Sequence, residues 1–280
     1  MKTPIEVYIR AKPTDSFANK NIQFNTDQND ISIFIPKKTE DGPINHKTEN
    51  WNFHFDKIFI NDSQEKIFDQ IGKKAVYNLV QGYSTSLLAY GQTGAGKTFS
   101  ISGYDNDYRY RGILPRTISQ IFKETNLLKD IDFTVKFSFV EIYNENLLDL
   151  LNPGSSNQIV LQEDPAYGII AKGAKIKTVK SENEALELMF QAETNRTTQE
   201  HIMNRCSSRS HGVFTIFLEA SSKYDSKEKV TISRLNILDL AGSERSKKTM
   251  SKGKTLLEAS FINKSLTFLE QLIVLYADNK

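Results

Sequence analysis

The stretch Gly91-Gln-Thr-Gly-Ala-Gly-Lys97-Thr98 matches every position of the phosphate-binding pattern G-x-x-x-x-G-K-[ST]. Its three glycines allow the backbone to curl with the N–H groups pointing inward, where they can bind an anion. In this pattern the lysine reaches the outer phosphates of a nucleotide, and the threonine hydroxyl can ligate Mg²⁺. The stretch therefore predicts a binding site for a nucleoside triphosphate.

The residues on either side of this loop favour the same prediction. Leu87-Leu88-Ala89-Tyr90 is a short apolar run that is typical of a buried strand. A helix can begin at Lys97 and place its positive end at the phosphates. The alternative is a glycine-rich turn that binds no ligand, and later segments of the chain bear on that choice.

Composition sets broad limits on the function. The chain has 280 residues, 39% of them hydrophobic, which is enough for a sizeable core. A formal net charge of +2 means that any basic surface has to be local, and nothing points to nucleic acid. One cysteine, Cys206, suits a reducing compartment. Because the chain has neither an apolar signal core nor a run of about 18 apolar residues, we expect a soluble cytosolic protein without a membrane partner.

Strand and helix patterns alternate along the chain, which predicts an α/β fold. Residues 5–10 alternate in polarity as a strand does, and so do residues 133–139. Asp62-x-x-Glu65 and Ser181-x-x-Glu184 are capping boxes that mark helix starts. Two further strands, residues 213–220 and 230–239, are separated by a charged turn. Since no stretch of linker composition divides the chain, we predict one domain over residues 1–280.

Two segments after the loop carry further polar chemistry. Asn204-Arg-Cys-Ser-Ser-Arg-Ser-His211 places three hydroxyls, an arginine and a histidine within five residues, which suits ligands to a phosphate, Mg²⁺ and water. Asp239-Leu-Ala-Gly-Ser-Glu244 follows an apolar strand, where an acid can hold Mg²⁺ through water and Gly242 can present its N–H to a phosphate. The common alternative for Asp239 is a buried aspartate that caps a turn.

With these three segments in this order, the chain resembles a kinesin motor domain. They match that family's nucleotide loop and its two switches. Further matches are Glu141-Ile-Tyr-Asn-Glu145, Asn195-Arg196 and Ile262-Asn-Lys-Ser-Leu266, and the resemblance covers essentially all 280 residues. It implies a P-loop NTPase fold with a mixed, mainly parallel central sheet that is flanked by helices on both faces.

Related families fit less well. Myosins have different switch sequences, and GTPases need an N-K-x-D base reader, whereas Asn263-Lys-Ser-Leu266 lacks the final acid. Within the kinesins the chain is most similar to the ninth subfamily, on the segments Arg10-Ala-Lys-Pro-Thr-Asp15, Arg111-Gly-Ile-Leu-Pro115 and Ser265-Leu-Thr-Phe-Leu-Glu-Gln271. That subfamily resemblance implies a role in cilia or flagella.

The resemblance also implies how ATP or ADP is bound. The phosphates would lie on Gly91, Gln92, Thr93, Gly94, Ala95, Gly96, Lys97 and Thr98. Adenine would lie between the turn from Arg10 to Pro13 and the ring of Phe99. The family usually has an arginine where Lys12 stands, and lysine keeps the charge but loses the planar stacking surface.

For catalysis, the resemblance implies the following roles. Thr98 and Ser208 would ligate Mg²⁺, with Asp239 behind a water. Lys97, Ser207 and the backbone of Gly242 would approach the γ-phosphate. Arg209 and Glu244 would form a salt bridge when ATP is bound, which places Glu244 to take a proton from the attacking water through a second water.

A cluster of basic residues follows the second switch: Arg245, Lys247, Lys248, Lys252 and Lys254. Microtubules are acidic, and in kinesins this loop and the next helix, here about residues 258–276, contact tubulin. Lys172 and Lys175 would add to that contact from another loop. The alternative is a charged loop that is simply solvated.

The predicted function is a microtubule-stimulated ATP hydrolase that drives microtubule-based movement in the cytoplasm, on the cytoskeleton or in an axoneme. The family's core continues beyond Lys280 with a tubulin-binding loop and helix, a strand, a last helix and the neck linker. Because the sequence has no heptads long enough for a coiled coil, we expect no dimerisation element in this chain. The first alternative is a truncated, non-motile module that binds ATP or tubulin. A P-loop NTPase that acts on another substrate is the second.

Overall fold

In the computed structural model, the described residues are 5–37, 48–104, 107–202, 209–224, 230–244 and 254–278. For residues 199–202, 254–260, 262, 277 and 278 only the backbone is described. The chain divides into two compact units, Met1–Ser63 and Gln64–Lys280.

The described part of the first unit consists of short strands. They are β1 (Tyr8–Ala11), β2 (Ile22–Asn25), β3 (Asp30–Phe34), β4 (Asn50–His54) and β5 (Lys57–Ile60). Strands β1 and β5 pair in parallel, with Arg10 opposite Phe59. Strands β2, β3 and β4 form an antiparallel sheet in that order. The strand predicted over residues 5–10 is thus present but is shifted towards Ala11.

In the second unit, helical segments alternate with strands. The helices are α1 (Gln64–Ile67), α2 (Lys73–Val80), α3 (Lys97–Ile101), α4 (Ile113–Leu127), α5 (Glu182–Ile202) and α6 (Lys254–Asp278), with a π-helical turn at Phe68–Gly72 and a 3₁₀ turn at Tyr108–Tyr110. The strands are β6 (Thr85–Ala89), β7 (Ile131–Tyr143), β8 (Asn146–Asp149), β9 (Val160–Asp164), β10 (Gly168–Lys172), β11 (Lys177–Val179), β12 (His211–Ser222) and β13 (Thr231–Asp239).

The main sheet has the strand order β11-β7-β12-β13-β6, and β8 pairs with β7. Strands β13 and β6 pair in parallel, whereas β12 is antiparallel to both β7 and β13. Helix α2 packs against β6 and β13, and α5 packs against β7 and β11. The predicted mixed sheet with flanking helices is therefore present.

The expectation of a mainly parallel sheet was wrong for the described part of the second unit. There the parallel pairing is β6 with β13, and the other pairings of the main sheet are antiparallel. For the pair β12 and β13, the physical reason lies in the connection. Parallel neighbours need a crossover connection of a dozen or more residues, whereas antiparallel neighbours can be joined directly, as β12 and β13 are by residues 223–230.

Local sequence signals explain two helix ends. At the start of α5, the Ser181 hydroxyl accepts from the Glu184 N–H at 3.2 Å, and the Glu184 carboxylate accepts from the Lys180 N–H at 2.8 Å. After α2, Gly82 adopts a φ of +87° and donates its N–H to Leu79 at 3.0 Å. The capping box at Ser181 was therefore predicted for the correct reason, and α2 ends with a glycine in the left-handed conformation that is common after helices.

Aromatic rings fill the centre of the main sheet. Phe139 is fully buried and meets Phe137 and Phe214 edge to face, with ring centroids 5.8 and 5.1 Å apart. The alternation predicted for this strand gives way to burial on both faces over residues 137–141.

In the described part of the chain, no helix combines the length and the apolar character that crossing a membrane requires.

The ring cluster generates a stability prediction. Phe139→Ala removes a fully buried ring and leaves a cavity, so the free energy of unfolding should fall by about 3–5 kcal/mol. The measurement is urea denaturation followed by circular dichroism. Phe268→Ala is the matched control, because that ring is 58% exposed and its loss should cost less than about 0.5 kcal/mol. Equal destabilisation by the two changes would contradict the proposed core.

Candidate nucleotide site

The phosphate-binding stretch forms a loop between β6 and α3, as predicted. Gly91, Gly94 and Gly96 have backbone φ angles of 152°, 78° and 95°, which residues other than glycine rarely adopt. A Cβ atom added at Gly94 or Gly96 would meet no heavy atom within 4 Å. The glycines are thus required by the backbone conformation, and the space beside them is open enough for a ligand.

Lys97 is the first residue of α3, and its side chain folds back over the loop. Its Nζ atom donates to the carbonyl oxygens of Gly91 at 2.9 Å and Gln92 at 3.0 Å. Burial lowers the pKa of Lys97, and the nearby carboxylates of Asp239 and Glu244 oppose that shift. An ammonium group held at the mouth of a phosphate loop suits an anionic ligand.

Asp239 ends β13 and lies beside the loop because β13 and β6 are parallel neighbours, with Asp239 opposite Ala89. Its Oδ2 atom accepts from the Thr98 hydroxyl at 2.8 Å. Its Oδ1 atom is buried and has no hydrogen-bond partner among the described residues. A hydroxyl paired with a carboxylate that has spare acceptor capacity is a donor set that fits Mg²⁺ with its waters.

Arg196 is a site residue that sequence reasoning missed, beyond its place in the family resemblance. It lies on α5, is 6% exposed, and donates through Nη1 to Asp239 Oδ2 at 3.0 Å. Its Nε atom is 3.6 Å from the buried carboxylate of Glu141. The signal was present in the sequence, since Arg196 continues the apolar stripe of Ala185, Met189 and Ala192 at the next helical step. A charge on a buried stripe indicates a buried partner.

The segment after β13 lies against the phosphate loop. The Ser243 N–H donates to the Gly91 carbonyl at 3.1 Å. The Glu244 carboxylate accepts from the Thr93 N–H at 2.8 Å and also from the Thr93 hydroxyl. Burial raises the pKa of Glu244, but these hydrogen bonds outweigh burial and the net pKa is lowered. Glu244 is therefore an ionised acceptor beside the loop.

Gly242 is required at its position by space. A Cβ atom there would come within 2.4 Å of both the Thr93 hydroxyl and a carboxylate oxygen of Glu244. Any side chain would push Glu244 away from Thr93. The sequence predicted a close approach of this backbone to a phosphate, and the structure shows a close approach to the phosphate loop.

Phe99 takes part in an aromatic cluster next to the loop. Its ring centroid is 4.9 Å from that of Tyr104 and 6.4 Å from that of Tyr110. The buried amide of Gln64 donates to the backbone oxygen of Phe99 at 2.6 Å and to that of Tyr110 at 3.2 Å. The residues around Tyr110 are therefore fastened to α3, a feature that the sequence did not reveal.

Other predicted residues are only partly placed. Ser207 and Ser208 lie outside the described residues, as do Arg245, Lys247, Lys248 and Lys252. Arg209 is half-buried and lies two residues before the start of β12. Its salt bridge with Glu244 stays a prediction. Arg10 and Pro13 belong to the first unit, so their pairing with Phe99 also stays a prediction.

The structure likewise describes only some of the basic residues that were expected to contact tubulin. Lys254 begins α6, but its side chain is not described. Lys172 ends β10 and is exposed. The backbone N–H of Lys175 donates to Asp149 at 2.7 Å. The tubulin contact of these lysines stays a prediction.

The sequence of this chain is similar to those of known motor proteins. The family described as "Kinesin motor domain" matches residues 10–280. The chain is 42% identical over 279 residues to the kinesin-like protein KIF9 of Mus musculus, a match that spans 98% of this chain and 35% of the relative. It is also 42% identical over 275 residues to the kinesin-like protein KLP1 of Chlamydomonas reinhardtii, again over 98% of this chain and 35% of the relative.

A solved structure of a fast kinesin superimposes with a TM-score of 0.79 at 31% sequence identity, and covers 92% of this chain and 71% of that chain. This similarity confirms the predicted α/β fold with a mixed central sheet flanked by helices. The chain spans about a third of the length of the curated relatives named above. The match to KIF9 confirms the predicted resemblance to the ninth subfamily. The chain belongs to the kinesin motor-domain family.

Proposed function

We propose that this chain binds ATP with Mg²⁺ and hydrolyses it as the catalytic part of a microtubule motor. One observation carries the proposal. Four side chains from distant parts of the second unit's sequence converge on a loop with open space beside its glycines. They are Lys97, Thr98, Asp239 and Glu244. A turn without a ligand would not need a lysine, a hydroxyl and two carboxylates around it.

In the proposed site, the loop from Gly91 to Gly96 binds the phosphates through its backbone N–H groups, and Lys97 contributes the positive charge. Thr98, Ser208 and Asp239 are the residues that would hold Mg²⁺, which neutralises phosphate charge when it is bound. Phe99 would stack on the base. The cluster with Tyr104 and Tyr110 supports this role, because it fixes where the Phe99 ring lies.

Hydrolysis breaks the bond between the β- and γ-phosphates while the oxygen of water bonds to the γ-phosphorus. Ser207 and the Gly242 N–H would position the γ-phosphate, and Arg209 would orient Glu244. Glu244 would accept the proton of the attacking water through a second water. Its lowered pKa supports this role, since a general base must be ionised before it can take a proton.

The partner in this proposal is the microtubule. The lysines at 247, 248, 252 and 254, together with α6, would form the contact with the acidic track, aided by Lys172 and Lys175. The family match supports a place on the microtubule cytoskeleton. The ciliary or flagellar location implied by the subfamily resemblance is a finer proposal, for which the similarity to KLP1 is the support.

Lys97→Ala tests the phosphate loop. Loss of this cation should lower ATP turnover by at least about 10²–10³-fold, the cost of removing one donor that binds the reacting group. Phosphate release measured at saturating ATP checks the prediction. Lys74→Ala is a control, because that lysine lies on the exposed face of α2. Turnover near the parental rate in Lys97→Ala would rule out this loop as the catalytic site.

Glu244→Ala separates binding from hydrolysis. The variant should bind a fluorescent ATP analogue about as tightly as the parent, while turnover falls by about 10²–10⁴-fold because the proton acceptor is gone. Glu244→Gln, which keeps the size but not the charge, should behave in the same way. Parental turnover in either variant would contradict the water relay. An unaltered chain that binds ATP but never hydrolyses it would favour the non-motile alternative.

A salt titration tests the track contact. Binding to microtubules in sedimentation assays should weaken steadily as ionic strength rises, because the Debye length shrinks from about 30 Å at 0.01 M to about 10 Å at 0.1 M. A variant with Lys247 and Lys248 changed to Gln should bind more weakly and depend less on salt. Changing Lys73 and Lys74 on α2 to Gln is the matched control. Salt-independent binding would argue that these lysines are only solvated.

A further inference from the structure

A buried glutamine connects the start of α1 to the aromatic cluster beside the phosphate loop. Gln64 is the first residue of α1 and is 3% exposed. Its side-chain amide donates to the carbonyl oxygens of Phe99 at 2.6 Å and Tyr110 at 3.2 Å. An amide nitrogen carries two N–H groups, so the two carbonyls use both of them. One side chain thus joins α3 to the 3₁₀ turn that carries Tyr110.

The carbonyl of Phe99 lies where a donor from outside the helix is useful. Helix α3 has 5 residues and ends at Ile101, so Phe99 belongs to its last turn. Carbonyls in the last turn of a helix have no donor within the helix, and side chains from elsewhere in the fold often supply one. Because Gln64 binds the backbone of Phe99 itself, it restrains the residue whose ring is expected to stack on the base.

The 3₁₀ turn is also held from a second direction. The Arg116 side chain on α4 donates through Nε to the Arg111 carbonyl at 2.9 Å and through Nη2 to the Arg109 carbonyl at 3.2 Å. Since Gln64 donates to the carbonyl between them, three successive carbonyls accept from side chains of α1 and α4. The backbone of Tyr110 is therefore restrained by two helices.

Two glycines bring the ends of this loop into close contact. Gly103 has a φ of +90°, and a Cβ atom there would come within 2.0 Å of the Tyr110 carbonyl oxygen. A Cβ atom at Gly112 would come within 2.3 Å of the Ile101 carbonyl oxygen. The Gly112 N–H also donates to the Ser102 carbonyl at 2.9 Å. The buried glutamine amide thus donates to carbonyls on both sides of a tightly packed junction.

We propose that Gln64 is a positioning residue for base recognition, which holds the Phe99 ring and the tyrosine rings packed on it where the base stacks. The proposal rests on the proposed function, because that function assigns the base to Phe99. It goes beyond that function by naming a side chain outside the phosphate loop and outside the segments that follow β13 and precede β12. Since Gln64 acts through Phe99, it affects ligands that carry a base and not the binding of the phosphates alone.

Gln64→Leu tests this role, because leucine has nearly the size of glutamine but cannot donate. The affinity for ATP with Mg²⁺, measured by isothermal titration calorimetry, should fall about tenfold, a part of what one base stacked on an aromatic ring contributes. The affinity for tripolyphosphate with Mg²⁺, which offers phosphates without a base, should stay within about twofold of the parent, as for independent sites. Gln120→Leu is the matched control, since that glutamine donates within α4 to Glu124.

The outcomes separate this role from the function on which it rests. A parent that binds neither ATP nor tripolyphosphate would overturn the proposed function. A parent that binds ATP, with the same affinity in Gln64→Leu, would overturn the positioning role alone. Equal losses of affinity for ATP and tripolyphosphate in Gln64→Leu would also overturn the positioning role, because they would indicate a disturbed phosphate loop or fold.

A second measurement uses the unaltered chain, so it stands even if Gln64→Leu does not fold. With ¹⁵N-labelled glutamine side chains, NMR can follow the Gln64 amide in the parent. Its protons should exchange slowly with solvent, because they are buried and bonded to two carbonyls. Adding ATP with Mg²⁺ should shift this signal, and adding tripolyphosphate with Mg²⁺ should shift it much less. Fast exchange, or equal shifts with the two ligands, would overturn the positioning role.

Discussion

The parallel pairing of β6 with β13 is the constraint on which the candidate site depends. Parallel neighbours end at the same edge of a sheet, so the loop after β6 and the segment after β13 emerge side by side. This brings Asp239 to Thr98 and Glu244 to Thr93, although each pair is more than a hundred residues apart in the sequence. If β12 stood beside β6 in place of β13, its carboxyl end would lie at the opposite edge of the sheet, because β12 is antiparallel to β13.

A buried charge network supports this edge of the sheet. Asp239 carries a carboxylate at 2% exposure, which is unfavourable unless a cation accompanies it. Arg196 supplies that cation from α5 and lies between Asp239 and Glu141 on β7. One arginine thus links a helix with two strands of the sheet. The arrangement explains how a carboxylate can face the phosphate loop from within the core and still keep an oxygen available there.

Hydrogen bonds also connect the residues around the candidate site to helix α6. Residues 240–244 contact the phosphate loop through backbone and side-chain hydrogen bonds, and through His211 they reach α6. Tyr90, just before the loop, also donates its hydroxyl to Glu270 on that helix at 3.2 Å. These hydrogen bonds connect the neighbourhood of the phosphate loop to α6 within the second unit.

The sequence by itself determined the phosphate loop, the helix start at Ser181 and the family, because each depends on residues that are close in the chain or on a motif whose spacing is strict. It did not determine the antiparallel neighbours of β12, the π-helical turn at Phe68 or the partners of Arg196 and His211. Those features depend on partners distant in sequence: Arg196 and Asp239 are 43 residues apart, and His211 and Ser265 are 54 apart. A local pattern states which side chain is polar or buried, but only the tertiary structure decides which group satisfies it, since burial makes every unpaired polar atom costly.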